Sequence, residues 1–349
     1  MRNLYIMRIL LTGGLGFIGS HVSVTLGQQD HDIIIVDNLA NSSIDVLFKI
    51  KRLVKCPERI TFVEGNVLNV THMRELFETH RNIDAVIHFA SLKAVGESIE
   101  KPLLYYRENL NGLMVLLDIM ETHGCNRFIF SSSATVYGCD SAPPCIETSQ
   151  TGISITNPYG QTKFFQERIL MDYAKVRPNM GITILRYFNP VGAHPSGLIG
   201  EDPRGIPNNL FPYILRVATR QYPNLNIFGD DYNTRDGTGI RDYIHVMDLA
   251  EGHVAALVHQ KSELVIYNLG SGKGTSIFEL IRTFENVNGI TIPYIVVPRR
   301  PGDVDETYAS AEKAKRCLGW ETTRTLEDIC RDGYNFMVQT HSNNVWRET

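Results

Sequence analysis

The chain has 349 residues, of which 43% are apolar and 21% are charged, and its formal net charge is −4. This composition is typical of a globular protein with one large or two ordinary domains, and it disfavours disorder. The mild negative charge, with no long basic run, argues against nucleic acid or an anionic membrane as a partner. No apolar run approaches the length of a membrane span.

The six cysteines include no Cys-x-x-Cys spacing, and their scatter predicts no metal site. They are typical of reduced thiols in an intracellular protein, so we expect a cytoplasmic location. The start of the chain, residues 1–11, resembles a short signal peptide. Because this run leads directly into a glycine-rich loop, we interpret it as the first strand with a short extension, and Met7 is an alternative start.

A glycine-rich loop, Thr12-Gly13-Gly14-Leu15-Gly16-Phe17-Ile18-Gly19, follows the strand predicted at residues 6–11 and precedes a helix predicted at 21–28. Such glycines let the backbone approach a pyrophosphate at the helix N-terminus. A second strand, residues 32–36, ends at Asp37, where an acid accepts from the adenosine ribose hydroxyls. We predict a site that prefers NAD to NADP, because the carboxylate repels a 2′-phosphate. A structural turn in some other α/β protein is the alternative.

Strand-like and helical patterns then alternate along the chain. This alternation predicts a parallel, doubly wound sheet whose ligands bind beyond the carboxyl ends of its strands. Strands are predicted at residues 60–63, 85–89, 127–130 and 181–186, and helices at 70–80, 103–122 and 159–175. The residues at predicted strand ends are Asp37, Asn66, Ala90, Ser133 and Phe188.

Tyr159 and Lys163 stand four residues apart at the start of a predicted helix, so they share one face. A phenol is a weak base at neutral pH because its pKa is about 10, and a neighbouring cation favours the phenolate. The pair therefore suits a base that works near neutral pH. Ser133, at the preceding strand end, is expected to bond a substrate oxygen. The alternatives are an ordinary helix face for the pair and a turn hydroxyl for Ser133.

Prolines and glycines interrupt residues 189–212, which is typical of a long binding loop. Beyond it we predict strands at 241–246 and 267–269, helices at 248–260 and 276–286, and a basic loop at 298–303. Arg241 and Arg300 either form surface ion pairs or grip phosphate oxygens, and both readings stay open. The histidines lack metal spacing, so we expect structural roles for them.

Nearly the whole chain resembles the UDP-glucose 4-epimerases of the extended short-chain dehydrogenase/reductase superfamily. The glycine loop and residues 158–163 match the wider superfamily. The more specific matches are Leu92-Lys93-Ala94-Val95-Gly96-Glu97-Ser98 and residues 131–138, 186–193, 205–210 and 237–248.

This resemblance implies an α/β protein with two domains. The first is a doubly wound, parallel-sheet, NAD-binding Rossmann domain over residues 1–187, to which the chain returns around 242–270. The second is a smaller mixed α/β domain over residues 188–349 that binds the UDP-sugar. The resemblance also implies a homodimer that pairs through N-terminal helices, with residues 103–122 as the candidate.

The implied reaction is reversible epimerisation of UDP-glucose and UDP-galactose at C4 through a 4-keto sugar, with NAD that never leaves. Tyr159 takes the proton of the sugar 4-hydroxyl while hydride passes to the nicotinamide, and Ser133 helps to hold the oxygen. Lys163 contacts the nicotinamide ribose. The keto sugar then turns about its diphosphate link and receives hydride on its other face, so most binding energy must reside in UDP.

The resemblance further implies which residues bind the ligands, and it implies no metal. The cofactor residues are Gly13, Gly16, Phe17, Ile18, Gly19, Asp37, Asn38, Asn66, Val67, Phe89, Ala90, Lys93, Asn109, Tyr159, Lys163 and Phe188. The substrate residues are Lys93, Ser133, Tyr159, Asn189, Asn209, Asn226, Phe228, Arg241, Arg300, Asp303 and Thr307.

Three positions depart from the family pattern. Asn66 stands where an acid usually faces the adenine, and Ser91 stands where glycine or alanine is usual. Thr307 occupies a site that holds either tyrosine or a small residue. A small side chain there leaves room for an N-acetyl group, so UDP-GlcNAc and UDP-GalNAc are candidate substrates.

Two rival functions stay open. A nucleotide-sugar 4,6-dehydratase or decarboxylase shares the fold, but dehydration needs a further acid and base, and Ala134-Thr135 offers no carboxyl group. A non-catalytic NAD-binding module is the other rival. Such a module has no need for Ser133, Tyr159 and Lys163 together.

Overall fold

The computed structural model describes residues 6–345 except residues 204, 206, 208 and 301. Its strands are β1 (Arg8–Thr12), β2 (Asp32–Asp37), β3 (Ile60–Glu64), β4 (Ala85–His88), β5 (Arg127–Ser133), β6 (Gly181–Tyr187), β7 (Asn189–Val191), β8 (Leu225–Phe228), β9 (Ile240–His245), β10 (Leu264–Leu269), β11 (Gly274–Ser276), β12 (Tyr294–Val297) and β13 (Glu306–Thr307). Its α-helices are α1 (Phe17–Gly27), α2 (Ile44–Leu53), α3 (Val70–Thr79), α4 (Val95–Glu100), α5 (Pro102–Thr122), α6 (Pro158–Val176), α7 (Leu210–Ala218), α8 (Val246–Val258), α9 (Ile277–Asn288), α10 (Glu312–Leu318) and α11 (Leu326–Val345).

The first compact unit lies within residues 1–136, 157–186 and 250–267. Its sheet has the order β10-β6-β5-β4-β1-β2-β3, and the pairs around β1, β2 and β4 are parallel. Ile9, Leu10 and Leu11 on the interior strand β1 are fully buried, as expected of a strand covered on both faces. The predicted doubly wound parallel sheet is confirmed.

The core of the first unit packs sheet residues against helices. Leu10 and Phe128 from the strands meet Phe77 of α3 and Leu113 of α5 in one cluster of buried side chains. The same packing brings α1, Ser133 and the start of α6 to the edge of the sheet where the strands end. Within this unit, Asp37 ends β2, Ser133 ends β5, and Ala90 lies two residues beyond β4.

The second compact unit lies within residues 137–156, 187–249 and 268–349. In its mixed sheet, β9 pairs with β11, β13 and β7, and β8 pairs separately with β12. Its core joins Phe211 of α7, Phe284 of α9 and Phe336 of α11. This is the smaller mixed α/β architecture that the sequence predicts for the later part of the chain.

The boundaries of the two units differ from the expected domain boundaries. Residues 137–156 belong with the second unit, because Cys145 exchanges hydrogen bonds with residues 308 to 310 and accepts another from Asn268. The return to the first unit is restricted to residues 250–267, because β9 is paired into the second sheet. Among the described residues, no helix has both the length and the apolarity needed to cross a membrane.

Candidate active site

The glycine loop between β1 and α1 fits a bound dinucleotide. Gly13 has φ +70°, and a Cβ there would lie 2.8 Å from the backbone nitrogen of Ala90. A Cβ on Gly19 would lie 2.4 Å from the Gly13 carbonyl oxygen. Gly16 begins α1 without a side-chain cap, and the first turn has no acidic residue. Backbone N–H groups of this helix end are therefore available for a phosphate.

Asp37, at the end of β2, holds the loops on either side of it. Its carboxylate accepts from the backbone N–H of Leu15 at 3.1 Å and of Leu39 at 3.0 Å, and from the Ser42 hydroxyl at 2.8 Å. A carboxylate offers about four acceptor positions, so one remains for a ribose hydroxyl. Asn38, next in the chain, uses its side-chain oxygen to accept from Ala40 N at 3.1 Å.

Three other predicted cofactor residues, Asn66, Val67 and Phe89, make contacts with neighbouring protein residues. The Asn66 side-chain oxygen accepts from Leu68 N at 2.9 Å, so the amide that was expected to meet adenine also shapes its own turn. Val67 packs against the core cluster. The Phe89 ring lies 5.1 Å from the ring of His253.

Asn109 on α5 braces the loop that follows β4. Its oxygen accepts from Leu92 N at 2.8 Å, and its amide donates to Leu92 O at 3.1 Å and to Thr162 Oγ1 at 3.0 Å. The ammonium of Lys93, in the same loop, lies 6.0 Å from the centre of the Phe17 ring. The structure therefore brings this loop, α1 and α6 together, while cofactor contact by Asn109 stays a prediction.

Ser133, Tyr159 and Lys163 are brought together as the sequence predicts. The Asn157 side chain accepts from Gly160 N and Pro158 occupies the first turn, so α6 begins with Tyr159 at the strand edge. The Ser133 side chain lies close enough to the Tyr159 hydroxyl to lower the pKa of the phenol. Lys163 is 3% exposed, donates to the Ser131 carbonyl oxygen at 2.8 Å, and lies 5.0 Å from the centre of the Phe130 ring.

The electrostatics of this set differ from the expectation that Lys163 lowers the pKa of Tyr159. Burial raises the pKa of Tyr159, and the Ser133 hydrogen bond and the charge of Lys93 oppose the rise. The Lys163 ammonium points toward Ser131 and lies 5.9 Å from the centre of the Tyr159 ring. Burial lowers the pKa of Lys163 itself to about 7, against the opposing charge of Glu167.

The structure also contains a buried ion pair next to these three residues, which the sequence analysis did not predict. Arg186 donates to both carboxylate oxygens of Glu167, at 3.0 and 2.7 Å, and Ser132 donates to Glu167 at 2.5 Å. Both charged side chains are at most 2% exposed. The signal in the sequence is the spacing of Tyr159, Lys163 and Glu167, which places all three on one helix face.

In the second unit, the predicted nucleotide residues Phe228, Arg241, Arg300 and Asp303 form one cluster. The Arg300 guanidinium lies 4.6 Å from the centre of the Phe228 ring and donates to Asp303 at 3.1 Å. Arg241 is 3.8 Å from Asp303 and donates to the Ile240 and Val304 carbonyl oxygens at 2.9 Å. Local ion pairs and phosphate binding, the two readings of these arginines, are thus compatible.

The remaining predicted substrate residues stand on elements around β9. Thr307 on β13 is the register partner of Arg241, and Asn189 on β7 is the partner of Tyr243. Asn226 shares β8 with Phe228, whereas Asn209 precedes α7 without capping it through its side chain. Phe188, predicted to touch the cofactor, is grouped with this second unit.

The sequence reasoning also missed Asp242, which is fully buried next to Arg241. Its carboxylate accepts from the backbone N–H groups of Ser271, Gly272 and Ala309 at 2.7 to 3.1 Å, and from the Ser271 hydroxyl. Burial raises its pKa against these bonds. Asp242 therefore fixes the chain two residues beyond Thr307.

The histidines that the sequence predicts as structural are held by neighbours. His88 lies 2.7 Å from Thr12 Oγ1, and burial lowers its pKa to about 3, so it is neutral. His245 Nε2 lies 3.2 Å from the Asp332 carboxylate. Within the described part of the chain, no three His, Cys, Asp or Glu side chains are grouped to hold a metal ion.

Comparisons with known proteins match nearly the whole chain. A family model described as GDP-mannose 4,6 dehydratase matches residues 10–333. A UDP-glucose 4-epimerase of Erwinia amylovora is 50% identical, covering 95% of this chain and 98% of that protein. The crystal structure of the Bifidobacterium longum UDP-glucose 4-epimerase in complex with NAD+ and UDP is 47% identical, with a TM-score of 0.92 and coverage of 96% and 99%. A Campylobacter jejuni UDP-Glc/GlcNAc 4-epimerase structure is 34% identical, with a TM-score of 0.83 and coverage of 95% and 99%.

Proposed function

We propose that this chain, which belongs to the UDP-glucose 4-epimerase family of the extended short-chain dehydrogenase/reductases, interconverts UDP-glucose and UDP-galactose at C4 with resident NAD. The observation that carries this proposal is the grouping of Ser133, Tyr159 and buried Lys163 at the end of β5, where the Lys163 ammonium donates to the Ser131 carbonyl oxygen at 2.8 Å and lies 5.9 Å from the centre of the Tyr159 ring. A bound dinucleotide carries the redox chemistry, so the protein needs only to position the substrate and to move a proton, and these residues can do both.

Tyr159 takes the proton from the sugar 4-hydroxyl and returns it when the keto sugar is reduced. Ser133, whose side chain acts on the pKa of Tyr159, holds the same sugar oxygen beside the phenol. Because burial raises the pKa of Tyr159, the nearby charge of Lys93 is needed to offset that rise. The dinucleotide, when bound, supplies a reversible oxidant for C4 and a positive charge in its oxidised ring.

The cofactor is held by the first unit. Gly13 and Gly19 let the loop backbone pack closely at the start of α1, whose backbone N–H groups we assign to the pyrophosphate, and Asp37 offers an acceptor to the adenosine ribose. Of the other predicted cofactor residues, Asn66 follows β3, and Phe89 and Ala90 follow β4, in the same unit. This supports the assignment of NAD binding to the Rossmann part of the chain.

The UDP-sugar is held by the second unit. Arg241 and Arg300 bind the diphosphate, and Phe228 offers an aromatic surface. Because these residues hold the nucleotide and not the sugar, the hexose can turn, as inversion at C4 requires. Thr307, small and beside Arg241, admits an N-acetyl group, so UDP-GlcNAc and UDP-GalNAc are further substrates.

The assembly we propose is a cytoplasmic homodimer that pairs through residues 103–122 of α5. Two large apolar side chains about three turns apart on this helix, and so on one helix face, are exposed: Leu103 at 74% and Met114 at 42%. Such a patch is typical of an interface. The six cysteines are all free thiols, which supports a reducing compartment.

The test is incubation of purified protein with UDP-galactose and no added cofactor. UDP-glucose should form, and denatured protein should release NAD. The nucleotide-sugar 4,6-dehydratase, the name carried by the matching family model, would instead give a 4-keto-6-deoxy sugar. A silent NAD-binding module would give no product even when NAD is added. Either result rejects the epimerase.

A further inference from the structure

Strand β5 and helix α6 are joined at three successive strand positions. The residues on α6 are spaced by four, so they form one stripe on the helix face. The pairs are Ser133 with Tyr159, Ser131 O with Lys163 Nζ at 2.8 Å, and Ser132 Oγ with Glu167 at 2.5 Å.

The third pair differs from the other two because it has no contact with a reacting group. Glu167 is 1% exposed and is gripped at both oxygens by Arg186 of β6, which is also 1% exposed. A buried ion pair is weak evidence for stability, because apolar residues of similar volume often replace it without loss. Its position beneath Lys163 indicates another role.

The surroundings of Lys163 contain few charges. His88 on β4 is neutral, and Phe130 and the Ser131 carbonyl on β5 carry no charge. Glu167, one turn along α6, is the anion that acts on Lys163, and Arg186 on β6 is its counter-ion. The pKa of Lys163 is about 7 with that carboxylate in place. Without it, burial would lower the pKa further, and Lys163 would be mostly deprotonated at neutral pH.

We propose that Glu167 is a positioning residue of the active site: held by Arg186, it fixes the end of β5 against α6 and maintains the positive charge of Lys163 beside Tyr159. The proposal deepens the proposed function, since it rests on Tyr159 and Lys163 serving the epimerase reaction. Ser132 links Glu167 to the catalytic serine, because it donates to Glu167 and immediately precedes Ser133 in β5. Arg186 pairs with the carboxylate at 2.7 Å, and both side chains are buried.

The experiment compares wild type with the double variant Glu167→Gln, Arg186→Met. Changing both residues avoids leaving one charge buried alone, and glutamine can still accept from Ser132. The single variant Glu167→Gln is made alongside. The matched control is Asp172→Asn, which removes an exposed carboxylate paired with Lys175 at 2.7 Å on the same helix.

Two quantities are measured on the NAD-bound protein. NMR of lysine-labelled protein, assigned with Lys163→Met, gives the titration midpoint of Lys163. Steady-state kinetics with UDP-galactose give kcat and KM across pH. We expect the midpoint in the double variant to fall by about 1 pH unit. One unit above the wild-type midpoint, kcat should then fall about tenfold with KM within about twofold, because activity is lost as Lys163 deprotonates.

A folded, NAD-bound double variant whose midpoint and kcat profile match wild type overturns the proposal. A fall of similar size in Asp172→Asn also overturns it, since a general charge effect would then explain the result. If the single variant does not fold, the double variant decides. If wild type itself converts no UDP-hexose, the proposed function fails, whereas the NMR midpoint still tests whether Glu167 holds the charge of Lys163.

Discussion

The Lys163 ammonium donates a 2.8 Å hydrogen bond to the carbonyl oxygen of Ser131, two residues before Ser133 on β5. This bond ties the helix that carries Tyr159 to the strand that carries its serine partner. It also draws a cation into a site where the lysine is only 3% exposed. A buried ammonium costs stability. Lys163 should therefore support the reaction while it lowers the free energy of unfolding.

Lys163→Met should therefore stabilise the folded protein, most strongly at acidic pH. The pKa of Lys163 is about 7 in the folded chain against 10.5 ordinarily, so between these values the unfolded state binds more protons. Wild-type stability thus rises with pH across that range, and below pH 7 the full cost of burial remains. We expect a gain of about 2 to 4 kcal/mol at pH 6 that shrinks toward pH 10.

Urea unfolding of both proteins at pH 6 and pH 10 measures this difference. Lys175→Met is the matched control, because Lys175 lies on the same helix with its side chain 69% exposed. Its effect should be small at both pH values. A gain for Lys163→Met that is equal at the two pH values, or larger at pH 10, would contradict the burial argument.

Tyr159→Phe should remove turnover and leave NAD bound. The phenol is the proton-transfer group, and general acid–base catalysis contributes about 10²- to 10⁴-fold. The ring itself, which fills the space beside Ser133 and above Lys163, is retained. Epimerisation of UDP-galactose measures the loss, and absorbance of the denatured supernatant measures the cofactor.

Tyr173→Phe is the control for that substitution. Tyr173 lies on the same helix, and its hydroxyl donates to Glu121 at 3.2 Å on the exposed side. Turnover in Tyr173→Phe should stay within about twofold of wild type, since surface changes rarely exceed about 0.5 kcal/mol. Retention of a tenth or more of wild-type activity by Tyr159→Phe would assign the proton transfer to another group.

Sequence alone predicted the elements whose apolar runs are bounded by turn residues. The helix predicted at 103–122 is α5 (Pro102–Thr122), and the strand predicted at 32–36 is β2 (Asp32–Asp37). In contrast, α2 was missed, because only Leu47 and Ile50 of its residues are buried. The short strands of the second unit were also missed. Three of them, β7, β11 and β13, pair with β9, while β8 pairs with β12, so each partner lies well away in the chain.

The same limit applies within the candidate site. Local spacing places Tyr159 and Lys163 on one face, and the structure bonds both to β5. Glu167 extends that face, yet a helical glutamate is ordinarily solvent-exposed. Its burial depends on Arg186, a strand residue whose position is known only from the fold. The pKa of Tyr159 was likewise unpredictable, because desolvation is a property of the packed site.

Gly13→Ala should reduce the NAD content of the purified protein. A methyl group there would lie 2.8 Å from the Ala90 nitrogen, and the φ of +70° is unfavourable for alanine. The loop must therefore move away from β4, which widens the pyrophosphate site. We expect the Kd for NAD to rise at least about tenfold, because about 1.4 kcal/mol of added strain corresponds to a factor of ten, so that more NAD is lost during purification.

Gly96→Ala is the matched control for this glycine. A Cβ on Gly96 meets no atom within 4 Å, and the residue lies inside α4, where alanine is favoured. NAD content should therefore equal that of wild type. Equal loss of NAD in the two variants would show that the glycine loop is not the determinant.

Thr307→Tyr should suppress turnover of N-acetylated substrates more than that of UDP-galactose. Thr307 is the register partner of Arg241, which we assign to the diphosphate, and we therefore expect its side chain to face the attached sugar. A phenol there would fill the space that the acetamido group needs, whereas a hydroxyl at the sugar C2 is smaller. The added ring should therefore weaken binding of UDP-GlcNAc more than binding of UDP-galactose, and it should leave the catalytic groups unchanged.

The measurement is kcat/KM for UDP-GlcNAc and for UDP-galactose in wild type, Thr307→Tyr and Thr307→Ala. We expect the tyrosine variant to lose about tenfold or more for UDP-GlcNAc, corresponding to about 1.4 kcal/mol, and less than about threefold for UDP-galactose. Thr307→Ala keeps the space open and should retain both activities. Parallel losses for the two sugars in Thr307→Tyr would mean that the residue supports the loop around Asp242 and Ala309 and does not select the substrate.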